Sequence, residues 1–103
     1  MVHYLLTMEL TSLPILAALG QPTRWRTFEL LLEQGEGGMI QGEIAKALGL
    51  DKNLMSTHLK VLKLAGLVTS EKNGREVTYR VTPAGAREAA MIILERIDRA
   101  KAI

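Results

Sequence analysis

Few side chains in this sequence have the types and spacing that catalysis needs. The 103 residues include no cysteine and two histidines, His3 and His58. Ser56 lies two positions before His58 on one predicted helix, where the two side chains cannot face each other as a nucleophile and its base. Because there is also no glycine-rich phosphate loop, we expect no enzymatic activity and no cofactor.

The lysines and arginines are arranged as nucleic-acid binding requires. Residues 46–80 carry seven basic and three acidic side chains, a net charge of +4, whereas the rest of the chain carries six basic and eight acidic ones, a net charge of −2. The formal total of +2 therefore hides a basic segment on a mildly acidic body. A basic segment of this kind attracts the phosphate backbone of DNA.

The composition is that of one ordinary globular domain. Hydrophobic residues make up 48% of the chain and charged residues 23%, and a chain of this length can build a single core. We therefore treat residues 1–103 as one domain. The sequence has no secretion signal and no apolar run of about 18 residues that could span a membrane. With the absence of cysteine, this predicts a cytoplasmic protein.

Apolar spacing predicts five helices, with a β-hairpin before the last of them. Pro14 lies inside the first helix, which either bends there or begins near Ser12. Thr82 is a suitable N-cap for the last helix, with Pro83 at its first position. The predicted helices cover residues 4–19, 22–34, 41–48, 51–65 and 83–102, and the hairpin covers residues 67–81.

Two short connections define the fold class. Only Gly49 and Leu50 separate the third and fourth helices, which is the signature of a helix-turn-helix. Asn73 and Gly74 predict a type I′ turn at the hairpin tip, in which both central residues have positive φ. The fold is therefore mainly α with a small β-hairpin, a winged helix-turn-helix. The helix-turn-helix covers residues 41–65 and the wing covers residues 67–81.

The fourth helix separates polar from apolar side chains. Leu54, Val61, Leu62 and Ala65 gather on one side, and short polar residues and lysines gather on the other. On a helix in the major groove, short polar groups near the N-terminus reach base edges and lysines further along meet phosphates. A basic hairpin tip reaches the adjacent minor groove or its phosphates. The residues predicted to contact double-stranded DNA are Lys52, Asn53, Ser56, Thr57, Lys60 and Lys63 in the helix, and Lys72, Asn73 and Arg75 in the wing.

The first and last helices carry more apolar surface than one small domain can easily cover. Residues 89–94 form an unbroken apolar run, and a helix that is apolar all round must be buried on more than one side. A symmetric homodimer supplies that cover and presents two reading helices to two half-sites. The alternative is that both helices close a monomeric core. The residues predicted at the dimer interface are Leu6, Leu10, Leu13, Leu16, Ala90, Met91, Ile93, Leu94 and Ile97.

The ordered set of short motifs resembles the ArsR/SmtB family of bacterial and archaeal transcriptional repressors. The matching stretches are ALGQPTR at 18–24, GEIA at 42–45, LGL at 48–50, STHLKVL at 56–62 and AGLV at 65–68, followed by Gly74, Arg75 and Tyr79. The resemblance covers about residues 13–81. It implies a dimeric winged-helix repressor that leaves its operator when an effector binds, with Ser56 and Thr57 reading bases and Arg75 as the wing contact.

The sequence departs from the metal sensors of that family. It has no cysteine, and its last helix contains Glu88, Glu95 and Asp98 but no histidine. His58 falls on the apolar side of the fourth helix, so we interpret it as hydrogen-bonded between two helices and not as a metal ligand or a base contact. We therefore predict no metal site, with ligation by oxygen atoms alone or between subunits as the open alternative.

Two other functions remain open at this point. The stretch TPAG at 82–85 resembles the MarR family, whose members often respond to small organic ligands. A winged-helix module that binds other proteins and not DNA is the second alternative, and the basic segment argues against it. The leading hypothesis is a sequence-specific DNA-binding regulator of a prokaryotic cytoplasm, associated with the nucleoid when bound to its operator.

Overall fold

The computed structural model describes the backbone of residues 2–101 and the side chains of residues 9–101. Within this part of the chain there are five α-helices and three β-strands. The helices are α1 (Val2–Leu19), α2 (Pro22–Gln34), α3 (Gln41–Leu48), α4 (Lys52–Leu64) and α5 (Ala84–Lys101). The strands are β1 (Met39–Ile40), β2 (Val68–Asn73) and β3 (Glu76–Val81), and a 3-10 turn (Gly35–Gly37) precedes β1. The predicted winged helix-turn-helix is confirmed.

Side-chain caps explain where two of the helices begin. The Gln21 side chain accepts a hydrogen bond of 2.8 Å from the Arg24 amide at the start of α2. Asp51 accepts one of 2.9 Å from the Leu54 amide, so its predicted role as the N-cap of α4 is confirmed. Each cap satisfies an amide that has no partner inside its helix.

The two ends of the fold differ in detail from the predictions. Helix α1 runs through Pro14, so the alternative start near Ser12 is wrong. Pro83 is not the first residue of α5, because its carbonyl already accepts the helical bond from the Arg87 amide at 3.0 Å and it therefore occupies the cap position. The Thr82 hydroxyl donates to the Gly66 carbonyl at 2.8 Å. The predicted capping role of Thr82 is therefore wrong, and this residue instead ties the end of the wing to the turn after α4.

The sheet has a third strand that the periodicity did not predict. Strand β3 lies in the middle, with β1 and β2 antiparallel on its two sides. Met39 is the register partner of Tyr79 on β3, so the segment before α3 is joined to the wing.

The turn at the wing tip is shifted by one residue from the prediction. Asn73 pairs with Glu76 across the sheet, which leaves Gly74 and Arg75 as the two-residue loop. Gly74 has φ +62°, whereas no other residue type in residues 2–101 has a positive φ. A glycine with positive φ followed by a residue with negative φ is typical of a type II′ turn, so the predicted type I′ turn with Asn73 at its centre is wrong.

A single core holds the helix-turn-helix against the sheet. Its fully buried side chains include Leu31, Ile44, Met55, Leu59, Leu62 and Leu67. Leu54, predicted on the apolar side of α4, is 44% exposed. Met55 and Leu59 bury instead, because the face of α4 that meets the core is rotated relative to the predicted one. Helix α1 packs along α5, and Arg96 forms an ion pair with Glu9 between them.

Candidate nucleic-acid interface

The burial of one side of α4 leaves the opposite side free for a ligand. Met55, Leu59 and Leu62 are spaced three and four positions apart and anchor one side of the helix. Residues about two positions from them, such as Asn53 and Thr57, therefore lie on the solvent side. Of the six α4 residues predicted to contact DNA, Ser56 is half-buried and the others are exposed: Lys52, Asn53, Thr57, Lys60 and Lys63.

The hydroxyl of Thr57 is oriented by the helix itself. It donates to the Asn53 carbonyl at 3.1 Å, which keeps its lone pairs available as acceptors for a donor on a base edge. Thr57 and the side-chain amide of Asn53 therefore present short polar groups near the N-terminus of α4, where the Leu54 backbone amide capped by Asp51 also lies.

The wing places its basic tip beside the start of α4. Lys72, Asn73 and Arg75 are all exposed. Lys52 and Arg75 line one open cleft, whose other walls are the beginning of α3 and the first part of β3. The structure thus brings together two cations that are 23 positions apart in the sequence, one from the helix and one from the wing.

Two other basic side chains of the same region are held by protein partners. The Lys63 Nζ donates to the Ser70 Oγ on β2 at 2.6 Å. Arg80 donates from Nε to the Glu36 carbonyl at 3.0 Å and from Nη1 to the Glu71 carboxylate, also at 3.0 Å. The sequence pattern did not predict these bonds, because each joins residues that lie between seven and 44 positions apart.

His58 lies between α2 and α4, as interpreted from the sequence. Its Nδ1 is 3.4 Å from Nη1 of Arg24. Burial lowers the pKa of His58, and the positive charge of Arg24 lowers the pKa further. The hydrogen-bonded interpretation is confirmed, and the neutral imidazole is the form that this environment favours.

The surfaces predicted to form a dimer are exposed in the single chain. The large apolar side chains of this set are between 36% and 62% exposed: Leu10, Leu13, Leu16, Met91, Ile93, Leu94 and Ile97. Ala90 is also exposed, whereas its neighbour Ala89 is buried against the core. The side chain of Leu6 lies outside the described residues. Exposed leucines and isoleucines of the predicted set are therefore present on both of these packed helices.

Comparison with known proteins identifies the family. The family model described as the MarR family matches residues 21–76. The transcriptional repressor SmtB of Mycobacterium tuberculosis is 37% identical over 86 residues, which cover 84% of this chain and 59% of the repressor. An ArsR-like transcriptional regulator from Rhodococcus sp. RHA1 superposes with a TM-score of 0.73 at 33% identity, over 91% of this chain and 89% of that one. The chain belongs to the ArsR/SmtB family.

The family model and the Rhodococcus structure match different lengths of this ArsR/SmtB-family chain. The MarR-family match begins with the cap of α2 and ends at the start of β3, so the winged helix-turn-helix core is of the MarR type as well. The Rhodococcus match covers most of the chain, beyond that core. The chain spans 59% of the length of the mycobacterial SmtB.

A second solved structure bears on assembly. The homodimeric winged helix-turn-helix DNA-binding domain of a possible ArsR-family regulator from Mycobacterium bovis matches with a TM-score of 0.63 at 26% identity, over 97% of this chain and 85% of that one.

Among the described residues of the present family member, no group of three or more histidine, aspartate or glutamate side chains is placed to hold a metal ion. In the same part of the chain, no helix is long and apolar enough to cross a bilayer.

Proposed function

We propose that this protein is a sequence-specific regulator of transcription that binds double-stranded DNA as a homodimer. The observation that carries the proposal is the cleft in which Lys52 of α4 and Arg75 of the wing lie together. A helix in the major groove and a wing over the adjacent minor groove need cations at this junction, because the phosphate backbone passes between the two grooves.

Each part of the interface has a distinct role in the proposal. Asn53, Ser56 and Thr57 read base edges from the first turns of α4. Lys52, Lys60 and Lys72 neutralise phosphates, and the exposed Arg75 at the wing tip enters the minor groove or binds its phosphates. Asn73 accompanies Arg75 at the tip.

The dimer follows from the exposed apolar side chains of α1 and α5. Burying them against a second copy removes apolar area from water. A two-fold dimer also presents two copies of α4 to half-sites about one helical turn of DNA apart. The homodimeric relative from Mycobacterium bovis supports this arrangement.

The regulator acts as a repressor in the proposal, because the mycobacterial relative is named as a repressor. Its operator binding is relieved by an effector of undetermined identity. The match to the MarR-family model favours a small organic ligand over a metal ion as this effector. Such a regulator works in the cytoplasm and at the nucleoid when bound.

The proposal is tested by selecting bound fragments from the source genome and measuring binding to them. Lys60→Ala should reduce the magnitude of the negative slope of the log of the binding constant against log salt concentration by about 0.9 for each protomer, since one phosphate contact is lost. Ser56→Ala should reduce discrimination between the selected fragment and random DNA. Lys101→Ala, a lysine of α5 outside the basic segment, is the control and should leave both quantities unchanged.

Two results would contradict the proposal. Absence of salt-dependent binding to any genomic fragment would favour a protein-binding module with the same fold. Normal binding by both the Lys60→Ala and the Ser56→Ala proteins would show that α4 does not read DNA with the assigned face.

A further inference from the structure

Two basic residues at the root of the wing make hydrogen bonds that fix its position. Lys63 bonds to Ser70 at 2.6 Å and thereby joins α4 to β2. Arg80 bonds to the Glu36 carbonyl and to the Glu71 carboxylate, both at 3.0 Å, and thereby joins β3 to the 3-10 turn and to β2. Three donors that would otherwise be available to phosphates are thus directed at protein atoms.

The two sets of bonds act on opposite faces of the wing. Ser70 and Glu71 are consecutive on β2, and consecutive strand residues point to opposite sides of a sheet. Ser70 is the register partner of the buried Tyr79, so Lys63 is attached on the core side of the sheet. Glu71 and Arg80 are on the other side. The bond between Arg80 and Glu71 lies within the wing, whereas the bonds from Lys63 to Ser70 and from Arg80 to the Glu36 carbonyl join the wing to the rest of the fold from opposite faces. Tilting the wing relative to α4 would therefore stretch one of these two bonds.

The backbone that receives Arg80 is itself closely fitted to β3. A Cβ atom placed on Gly38 would lie 2.5 Å from the Tyr79 carbonyl oxygen and 2.7 Å from Cγ of Arg80. This segment then continues into β1, which pairs with β3. The Glu36 carbonyl is therefore a fixed acceptor and not the tip of a mobile loop.

We propose that Lys63 and Arg80 are positioning residues that set the angle between the wing and α4, and that they do not bind phosphates. The inference rests on the proposed DNA-binding function and changes the predicted role of Lys63 from a DNA contact to a support. The cations left to bind DNA are then those with exposed, unengaged positions on α4 and at the wing tip. Operator affinity depends on Lys63 and Arg80 because a misplaced wing cannot reach the groove while α4 is docked.

Ser70→Ala is the sharpest test of Lys63, because it removes the partner of the lysine without changing any charge. On the selected operator fragment, Ser70→Ala and Lys63→Met should each weaken binding roughly fivefold. The double variant should be no weaker than Lys63→Met alone, since both changes break one bond. The salt slope should stay at the wild-type value in all three proteins.

Lys60→Met is the matched control, one helical turn away on the same helix. It should reduce the magnitude of the slope of the log of the binding constant against log salt concentration by about 1.8 for a dimer, because each protomer loses one phosphate contact. A similar loss of slope in Lys63→Met, together with normal binding by Ser70→Ala, would overturn the inference for Lys63. If the wild-type protein itself bound without salt dependence, the proposed function would fail and not this inference alone.

Arg80 is tested by a substitution that keeps its charge. Lysine has a single nitrogen and no planar fork, so it cannot reproduce the two bonds that Arg80 makes from Nε and Nη1. A positioning role therefore predicts that Arg80→Lys and Arg80→Met both weaken operator binding and that both leave its salt dependence unchanged. Wild-type affinity in Arg80→Lys, with a lower slope in Arg80→Met, would show that Arg80 is a phosphate ligand. Circular dichroism of each variant establishes that the fold is retained.

Discussion

The guanidinium of Arg24 joins the end of α1 to α4 through the ring of His58. Its Nε donates to the Ala18 carbonyl at 2.7 Å, and its Nη1 lies 3.4 Å from Nδ1 of His58. Because arginine donates and does not accept hydrogen bonds, Nδ1 must be the acceptor and the neutral ring carries its proton on Nε2. A proton added to Nδ1 would replace this hydrogen bond with the repulsion of two cations.

This contact predicts a loss of stability on mild acidification. The pKa of His58 is lowered in the folded protein, by burial first and by Arg24 second. The unfolded chain therefore binds more protons as the pH falls through and below the ordinary histidine value of about 6.5. The contribution of neutral His58 is fully present above that value and declines below it. Urea denaturation at pH 7.5, 6.5 and 5.5 should show a falling free energy of unfolding.

The His58→Gln variant isolates the histidine from other titrating groups. Glutamine can still accept a hydrogen bond from Arg24 but does not titrate, so its free energy of unfolding should depend less on pH over the same range. Leu64→Gln is the matched control, because it introduces the same side chain at a 90% exposed position without changing a titrating group, and it should retain the wild-type dependence. An identical pH dependence in wild-type and His58→Gln proteins would show that His58 does not cause the effect.

The proposed dimer predicts that a charge on α1 or α5 prevents assembly. Leu13 and Leu94 are 61% and 58% exposed in the single chain and would be buried against the partner. A carboxylate buried without a partner costs several kcal/mol per ion. Leu13→Glu and Leu94→Glu should therefore sediment as monomers at concentrations where the wild-type protein sediments as a dimer.

Leu64 provides the control for the dimer experiment. It is 90% exposed on α4 and is not in the predicted interface. Leu64→Gln should leave the mass of the assembly unchanged. A dimeric mass for both glutamate variants would place the interface elsewhere on the molecule.

Elements with strong local signals could be predicted from the sequence. Helix α4 has a capping residue, Asp51, at one end and Gly66 two residues beyond the other, and both signals act over a few residues. The short connection between α3 and α4 was equally evident. The fold class and the basic character of the candidate site followed from these local features.

Features that depend on distant pairing could not be predicted in this way. Strand β1 has two residues, too few to show an alternating pattern, and exists because Met39 pairs with Tyr79. The hydrogen bond from Lys63 to Ser70 likewise depends on where the folded chain places β2 relative to α4. The sequence placed Leu54 on the buried side of α4, where the structure does not have it. An ideal rotation of about 100° per residue shows which residues share a face, but it does not determine which face meets the core.

Core packing predicts different costs for two leucines of α4. Leu59 is fully buried, whereas Leu64 is 90% exposed. Leu59→Ala removes buried methyl groups and leaves a cavity, so it should lower the free energy of unfolding by about 3 kcal/mol. Leu64→Ala should change it by less than about 0.5 kcal/mol. Urea denaturation of the two variants measures the difference, and equal losses would contradict the assigned orientation of α4.

The close approach of Gly38 to β3 predicts that a single added methyl group destabilises the root of the wing. Alanine at this position would place Cβ 2.5 Å from the Tyr79 carbonyl oxygen, and the φ of +69° is unfavourable for any residue with a side chain. Gly38→Ala should therefore lower the free energy of unfolding by about 3 kcal/mol, as measured in urea. Gly42→Ala is the matched control, because Gly42 is helical and a Cβ there would meet nothing within 4 Å. That change should stabilise the protein by up to about 0.5 kcal/mol. A Gly38→Ala protein as stable as the wild type would mean that the segment before β1 moves away from β3 without cost.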